Sequence, residues 1–285
     1  MQPPLLSVPD GAPFLVFGGP YSNLQATLAL RAEAARLGIP ASRALCTGDV
    51  VAYGADAAAT VAEVRDWGVP VVMGNCEENL GEGAGDCGCG FAEGTACDAL
   101  SARWYAHADA QLDADARAWM RALPRRIDVA LGGRRLAAVH GGVGSINRFL
   151  FASAPDAELA EELERADADG IRVDGVLGGH CGLPFTRMVG DRLWHNAGAI
   201  GMPANDGTPR VWYALLTALP QGIRVEHRAL SYDWRGAQAA MRAARLPEGY
   251  AHGLETGLWP SLDVLPDAER AATGVPLAPA AHWWR

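Results

Sequence analysis

The chain has 285 residues, 49% hydrophobic and 20% charged, which is enough apolar material for a substantial core and excludes general disorder. Its 24 basic residues, all arginine, face 33 acidic ones, and the net charge of −9 disfavours broad nucleic-acid binding while leaving room for a small phosphorylated substrate. No apolar run approaches the ~20 residues of a membrane helix, and MQPPLLSVPDGAP lacks the charged start and apolar middle of a signal peptide, so no membrane partner and a cytoplasmic location are expected.

In chain order, PFLVF at 13–17 reads as a strand running into the tight loop Gly18-Gly19-Pro20. Ser22 or Asn23 can cap the Ala/Leu/Arg-rich segment that follows, which closes as a helix at Gly38. RALC then gives a strand before Gly48-Asp49, ADAAATVAEVRDWG a helix, and VPVVMGNCEEN a strand leading into a loop. Residues 79–94, with six glycines, predict a long irregular loop, and helices are expected at about 97–108 and 113–122. RIDVALGGRRLAAVHGG predicts a hairpin turning at Gly132-Gly133, DAELAEELERAD an acidic amphipathic helix, and GIRVDGVLGGHCG a strand and loop. Two more hairpins turn at Gly190-Asp191 and Pro220-Gln221-Gly222, and the last fifty residues carry one helix, RGAQAAMRAARL, and a tail with Pro and Trp. No repeat or linker divides the chain, so residues 1–285 read as a single domain. Its motif-bearing core spans about 13–218, and a C-terminal hairpin, helix and tail occupy about 219–285.

Polar residues sit just past the strand ends, the edge at which open α/β sheets bind ligands. Five loops line up: Gly18–Asn23, Gly48-Asp49, Gly74-Asn75-Cys76-Glu77, His140-Gly141 and Gly179-His180-Cys181-Gly182. Their Asp, Asn and His side chains are the oxygen and nitrogen donors that Mn, Fe or Zn takes in hydrolytic sites. Their order resembles the calcineurin-like metallophosphoesterase family, whose pattern runs D-x-H-G-N, G-D, G-N-H-[DE], H-G and G-H-x-H. The stretches GDVVAYGAD and HNAGAIGMPANDGTPRVWYALL are similar to its bacterial single-domain branch. The resemblance implies an α/β fold, the four-layer α/β-β/α metallophosphoesterase sandwich.

The lost metal ligands are confined to one half of the site. Aligned on Asn23, the first motif's Asp falls on Gly19 and its His on Tyr21, and the last His of G-H-x-H falls on Gly182. The resemblance gives those positions, with a bridging Asp matching Asp49, to one metal. It gives Asp49, Asn75, His140 and His180 to the other, and all four are present. A mononuclear site holding one divalent Mn, Fe or Zn ion is therefore implied, in a hydrolase acting on a small phosphate ester. A catalytically weak ligand-binding protein on the same scaffold is the alternative.

Cys76 replaces the His that in the family contacts phosphate and assists the leaving group, and as a thiol it is a poorer acid but a candidate soft ligand or nucleophile. Cys181 beside His180 and Tyr21 in the altered first motif are further candidates, and thiol or redox chemistry at the metal is a third functional reading. Cys76, Cys87, Cys89 and Cys97 leave three readings open: a second metal or cluster, a redox-active disulfide, or free thiols in a loop. Cys46 reads as a buried strand thiol, Arg148 as a phosphate clamp or a surface arginine, and His195 as a site residue or a hydrogen-bonded structural one. The hairpin edges and the tail with Trp283 and Trp284 would suit a homodimer.

Overall fold

A computed structural model describes residues 3–90, 94–167 and 170–285. Its strands, in chain order, are β1 (Leu5–Val8), β2 (Pro13–Phe17), β3 (Ala44–Cys46), β4 (Ile127–Leu131), β5 (Arg134–Ala138), β6 (Gly175–Gly178), β7 (Pro184–Val189), β8 (Arg192–Ala197), β9 (Val211–Leu219), β10 (Gly222–Leu230) and β11 (Ala280–Trp284). The helices are α1 (Leu24–Arg36), α2 (Ala57–Trp67), α3 (Asn75–Glu82), α4 (Ala96–Asp109), α5 (Ala114–Ala122), α6 (Asp156–Ala166), α7 (Trp234–Ala243), α8 (Glu248–Thr256) and α9 (Asp267–Ala271).

The strands form two mixed sheets, one ordered β1-β4-β5-β6-β8-β7 and the other β11-β10-β9-β2-β3. Alternation along the strands decides which side chains meet. Phe14 and Val16 of β2, Leu216 of β9 and Val225 of β10 pack against Val129, Leu136, Leu177 and Leu193 of the other sheet, forming a dry layer between the two. The opposite face of the five-stranded sheet carries Leu15 and Phe17 against α1, α2, α4, α5, α7 and α8. The opposite face of the six-stranded sheet packs Ala137, Val176 and Trp194 against Leu159 and Leu163 of α6. Helices, sheet, sheet and helix make the expected four layers.

Local signals place most of these elements. Asn23 caps α1 by accepting from the Ala26 backbone, while its amide donates to the Gly201 carbonyl and ties the cap to the far loop. Gly38 and Gly68, both with positive φ, end α1 and α2.

Several expectations need correction. Val71 makes only an isolated bridge to Cys46, so VPVVMG is not a strand. Helix α3 starts at Asn75, so the front of the expected glycine-rich loop is helical, and the loop's residues 91–93 lie outside the described residues. The last fifty residues hold three helices and a strand, because β11 pairs antiparallel with β10 and extends the five-stranded sheet. Strand β1, four residues of LLSV pairing parallel with β4, was too short to carry a period.

Candidate metal centre

Asp49, Asn75, His140 and His180 arrive from four separate loops at the carboxyl ends of β3, β5 and β6 and the start of α3. His140 Nε2 lies 3.2 Å from Asp49 Oδ2, 3.1 Å from Asn75 Oδ1 and 3.2 Å from His180 Nδ1. All four atoms offer lone pairs, and one proton on Nε2 satisfies a single acceptor rather than three. Donors held about 2.1 Å from one ion lie about 3.0 Å apart at right angles and about 3.4 Å at the tetrahedral angle. The observed separations fall within that range, so the residues present fit one divalent cation.

The surroundings aim each donor. His140 Nδ1 is 2.7 Å from the Thr47 carbonyl, which fixes the tautomer with the proton on Nδ1 and leaves the Nε2 lone pair facing Asp49. The Asn75 amide donates to the Cys87 carbonyl at 2.9 Å, so its oxygen must face His140. Among the described residues the buried His180 Nε2 has no hydrogen-bond partner, and Phe149 lies against its ring at 4.0 Å. Asp49 and His180 both adopt positive φ, at 54° and 61°, backbone strain of the kind that collects at functional sites. Gly48 permits the approach: with φ at 100°, a Cβ there would lie 2.8 Å from His140 Nδ1 and from the Val72 carbonyl.

Glu77 was not singled out from the sequence, yet it organises the centre. It is fully buried and its carboxylate accepts the backbone N–H groups of Asp49, Gly74 and Val51 at 2.8, 3.0 and 3.3 Å. Its signal was the last position of the G-N-H-[DE] motif. Burial, then the neighbouring Asp49 charge, pushes its carboxyl up to about 7. Burial also pushes Asp49 upward, but the two imidazoles outweigh it and hold Asp49 below the usual carboxylate range. For His140 burial acts downward and is overcome by Asp49, so its affinity for protons is raised. His180 is lowered to about 3 by burial and by His140, which leaves a neutral imidazole suited to ligation.

The other half of the constellation is filled by a ring. A Cβ on Gly19 would lie 2.3 Å from Cζ of Tyr21 and 2.7 Å from its Cε1 and Cε2, and one on Gly182 would lie 3.7 Å from the Tyr21 hydroxyl oxygen. The phenol therefore covers Gly19 and points its hydroxyl toward Gly182, occupying the space that longer side chains at 19 and 182 would need. Burial, with Asp49 beside it, keeps that phenol protonated far above neutral pH.

The remaining candidates separate. Cys76 is buried against Asp49, and burial followed by that charge raises its thiol well above the ordinary value, whereas a nucleophile needs the thiolate. Cys181 is pushed up to about 12 by burial; its thiol bonds to the Leu183 carbonyl and accepts from Asn196. Cys87 and Cys89 form a disulfide, Cys97 is a free buried thiol on α4, and among the described residues the metal-ligating group is Asp49, His140 and His180. A second metal at the cysteines is thus not what the structure builds, because a joined pair offers no thiolates. Arg148 is no phosphate clamp: its guanidinium is paired with Glu162 at 2.7 Å and Glu158 at 3.2 Å. His195 does not reach the centre; it faces the layer between the sheets, 3.0 Å from Thr186 Oγ1, which is 2.8 Å from His227.

Residues 24–219 match the calcineurin-like phosphoesterase superfamily domain, a match that begins just past the loop containing Gly19 and Tyr21. No match is found among the curated proteins. Among solved structures, a metallophosphoesterase from Sphaerobacter thermophilus is similar at a TM-score of 0.66 and 22% identity, covering 87% of this chain and 100% of that one. A hypothetical protein from Pyrococcus horikoshii OT3 is similar at a TM-score of 0.71 and 16% identity, with 87% and 99% covered. At these identities the likeness concerns the fold. The family match covers most of the chain, and the chain belongs to the calcineurin-like phosphoesterase superfamily.

Proposed function

We propose that this member of the calcineurin-like phosphoesterase superfamily is a mononuclear metal-dependent hydrolase of small phosphate esters, holding one Mn, Fe or Zn ion at Asp49, Asn75, His140 and His180. The observation that carries the reading is the asymmetry of the site: Asp49, Asn75 and His180 each bring a lone-pair donor to 3.1–3.2 Å from His140 Nε2, while the Tyr21 ring fills the neighbouring half. A divalent ion bound there supplies Lewis acidity toward a phosphoryl oxygen and acidifies water. The chain's own contribution is preorganisation. Thr47 holds the His140 tautomer, the Cys87 carbonyl orients Asn75, and Glu77 fixes the Asp49 backbone. The Tyr21 hydroxyl, protonated and directed at Gly182, is placed to donate a hydrogen bond where a second cation would otherwise balance charge. A hydrogen bond compensates less charge than an ion, so turnover of dianionic monoesters should be weak.

The test is a panel of phosphate mono- and diesters assayed with Mn-, Fe- and Zn-loaded protein. Metal-dependent turnover that disappears in His140→Ala supports the hydrolase. Stoichiometric metal with no turnover of any ester favours a ligand-binding protein on this scaffold, the second reading, which the filled half-site also supports.

A further inference from the structure

A cavity of about 620 Å³, counted with its open mouth, adjoins the donor set at His180 and Gly182. Its wall is aromatic and apolar: Tyr21, Tyr53, Phe149, Met202, Tyr250 and Trp259 are the main contributors. Tyr53 is central to this wall, with its ring 4.9 Å from both Tyr21 and Tyr250. Among the described residues no arginine or carboxylate lines the cavity. Some of its polar atoms are already committed, since the Trp259 indole N–H donates to the Pro203 carbonyl at 2.7 Å and the Cys181 thiol bonds to Leu183.

Much of the wall comes from outside the matched family segment. Tyr250, Trp259, Pro260, Ser261 and Val264 all follow residue 219, and Tyr21 precedes residue 24.

We infer that this pocket seats an uncharged aromatic group of the substrate, and that the substrate is a monoanionic phosphate diester carrying such a group rather than a nucleotide or other polyanion. The inference rests on the hydrolase reading for the phosphoryl end. Two observations carry it. The cavity opens directly beside His180, so a group attached to a phosphoryl centre at the donor set enters it. Among the described residues its lining has no cation to compensate extra phosphates, and Arg148 is already paired with Glu158 and Glu162. Aromatic rings find edge-to-face and offset partners in such a wall, whereas a ribose or a phosphate chain would lose water without gaining partners.

Binding is measured by calorimetric titration of metal-loaded protein with methyl 1-naphthyl phosphate, dimethyl phosphate and ADP. The naphthyl diester is expected to bind about tenfold or more tightly than dimethyl phosphate, a preference that burial of one ring system readily supplies. In Trp259→Ala and in Met202→Arg the preference should shrink to about threefold or less, with metal content unchanged. Equal affinity for the two diesters, or tighter binding of ADP, overturns the inference. Turnover without ring preference would do the same while leaving the hydrolase reading intact. Ring-selective binding that persists without turnover of any ester would sustain the pocket and remove the hydrolase.

Discussion

If the Tyr21 ring occupies the space above Gly19, the two positions must be energetically coupled. Gly19 has φ at 47°, and a Cβ added there would meet Cζ of Tyr21 at 2.3 Å. Alanine in the left-handed region costs about 1–2 kcal/mol, and overpacking a buried ring adds about 1–3 kcal/mol, so Gly19→Ala should destabilise by about 2–5 kcal/mol. Tyr21→Ala removes a side chain that is only 5% exposed and should cost about 3–5 kcal/mol by itself. With the ring gone the Gly19→Ala clash vanishes and only its backbone cost remains. The double variant should then be about 1–3 kcal/mol more stable than the sum of the single changes predicts. Urea denaturation of the four proteins, with slopes compared to check two-state behaviour, measures the coupling. Additivity within about 0.5 kcal/mol would place the ring elsewhere and refute the argument that tyrosine replaces a metal position.

Two other outcomes follow from buried polar groups. Glu77→Ala strands three backbone N–H groups in the Gly74 and Asp49 loops and should cost about 3 kcal/mol or more, with weaker metal binding; wild-type stability by thermal denaturation would contradict the role given to Glu77. Between the sheets, His227 is lowered from 6.5 to about 4 by burial and by His282, and burial followed by His227 also holds His195 well below its ordinary value. Both stay neutral when folded but take up protons when unfolded, so stability is fully present above about pH 6.5 and falls as pH drops toward 4, by about 3 kcal/mol from His227 alone. His227→Gln should flatten that part of the stability curve, and a variant as acid-sensitive as wild type would exclude His227 as the cause.

The donors Asp49, Asn75, His140 and His180 could be found in the chain because each lies at a loop following a strand or opening a helix, where local pattern and residue type coincide. The departure from the family pattern at the other half was also legible, as Gly19, Tyr21 and Gly182. That the Tyr21 ring lies over Gly19 was not, since it depends on the left-handed backbone at Gly19, Tyr21 and Ser22, which no periodicity reports. Glu77 looked like an ordinary first-turn acid of α3 until its buried contacts to the Asp49 loop were seen. Helix α8 and strand β11 escaped because Pro and Gly punctuation hid them and their stability comes from packing on α7 and pairing with β10. The pocket could not be read at all: its wall joins Tyr21 and Tyr53 to Tyr250 and Trp259, about two hundred positions later in the chain.

The central claim is a one-metal site, and elemental analysis of protein reconstituted with Mn, Fe or Zn under reducing conditions tests it most directly. One equivalent, lost in His140→Ala and in Asp49→Ala, is the predicted result. Two equivalents that both depend on these residues would mean that Tyr21 yields its place to a second ion, and the mononuclear account would be wrong.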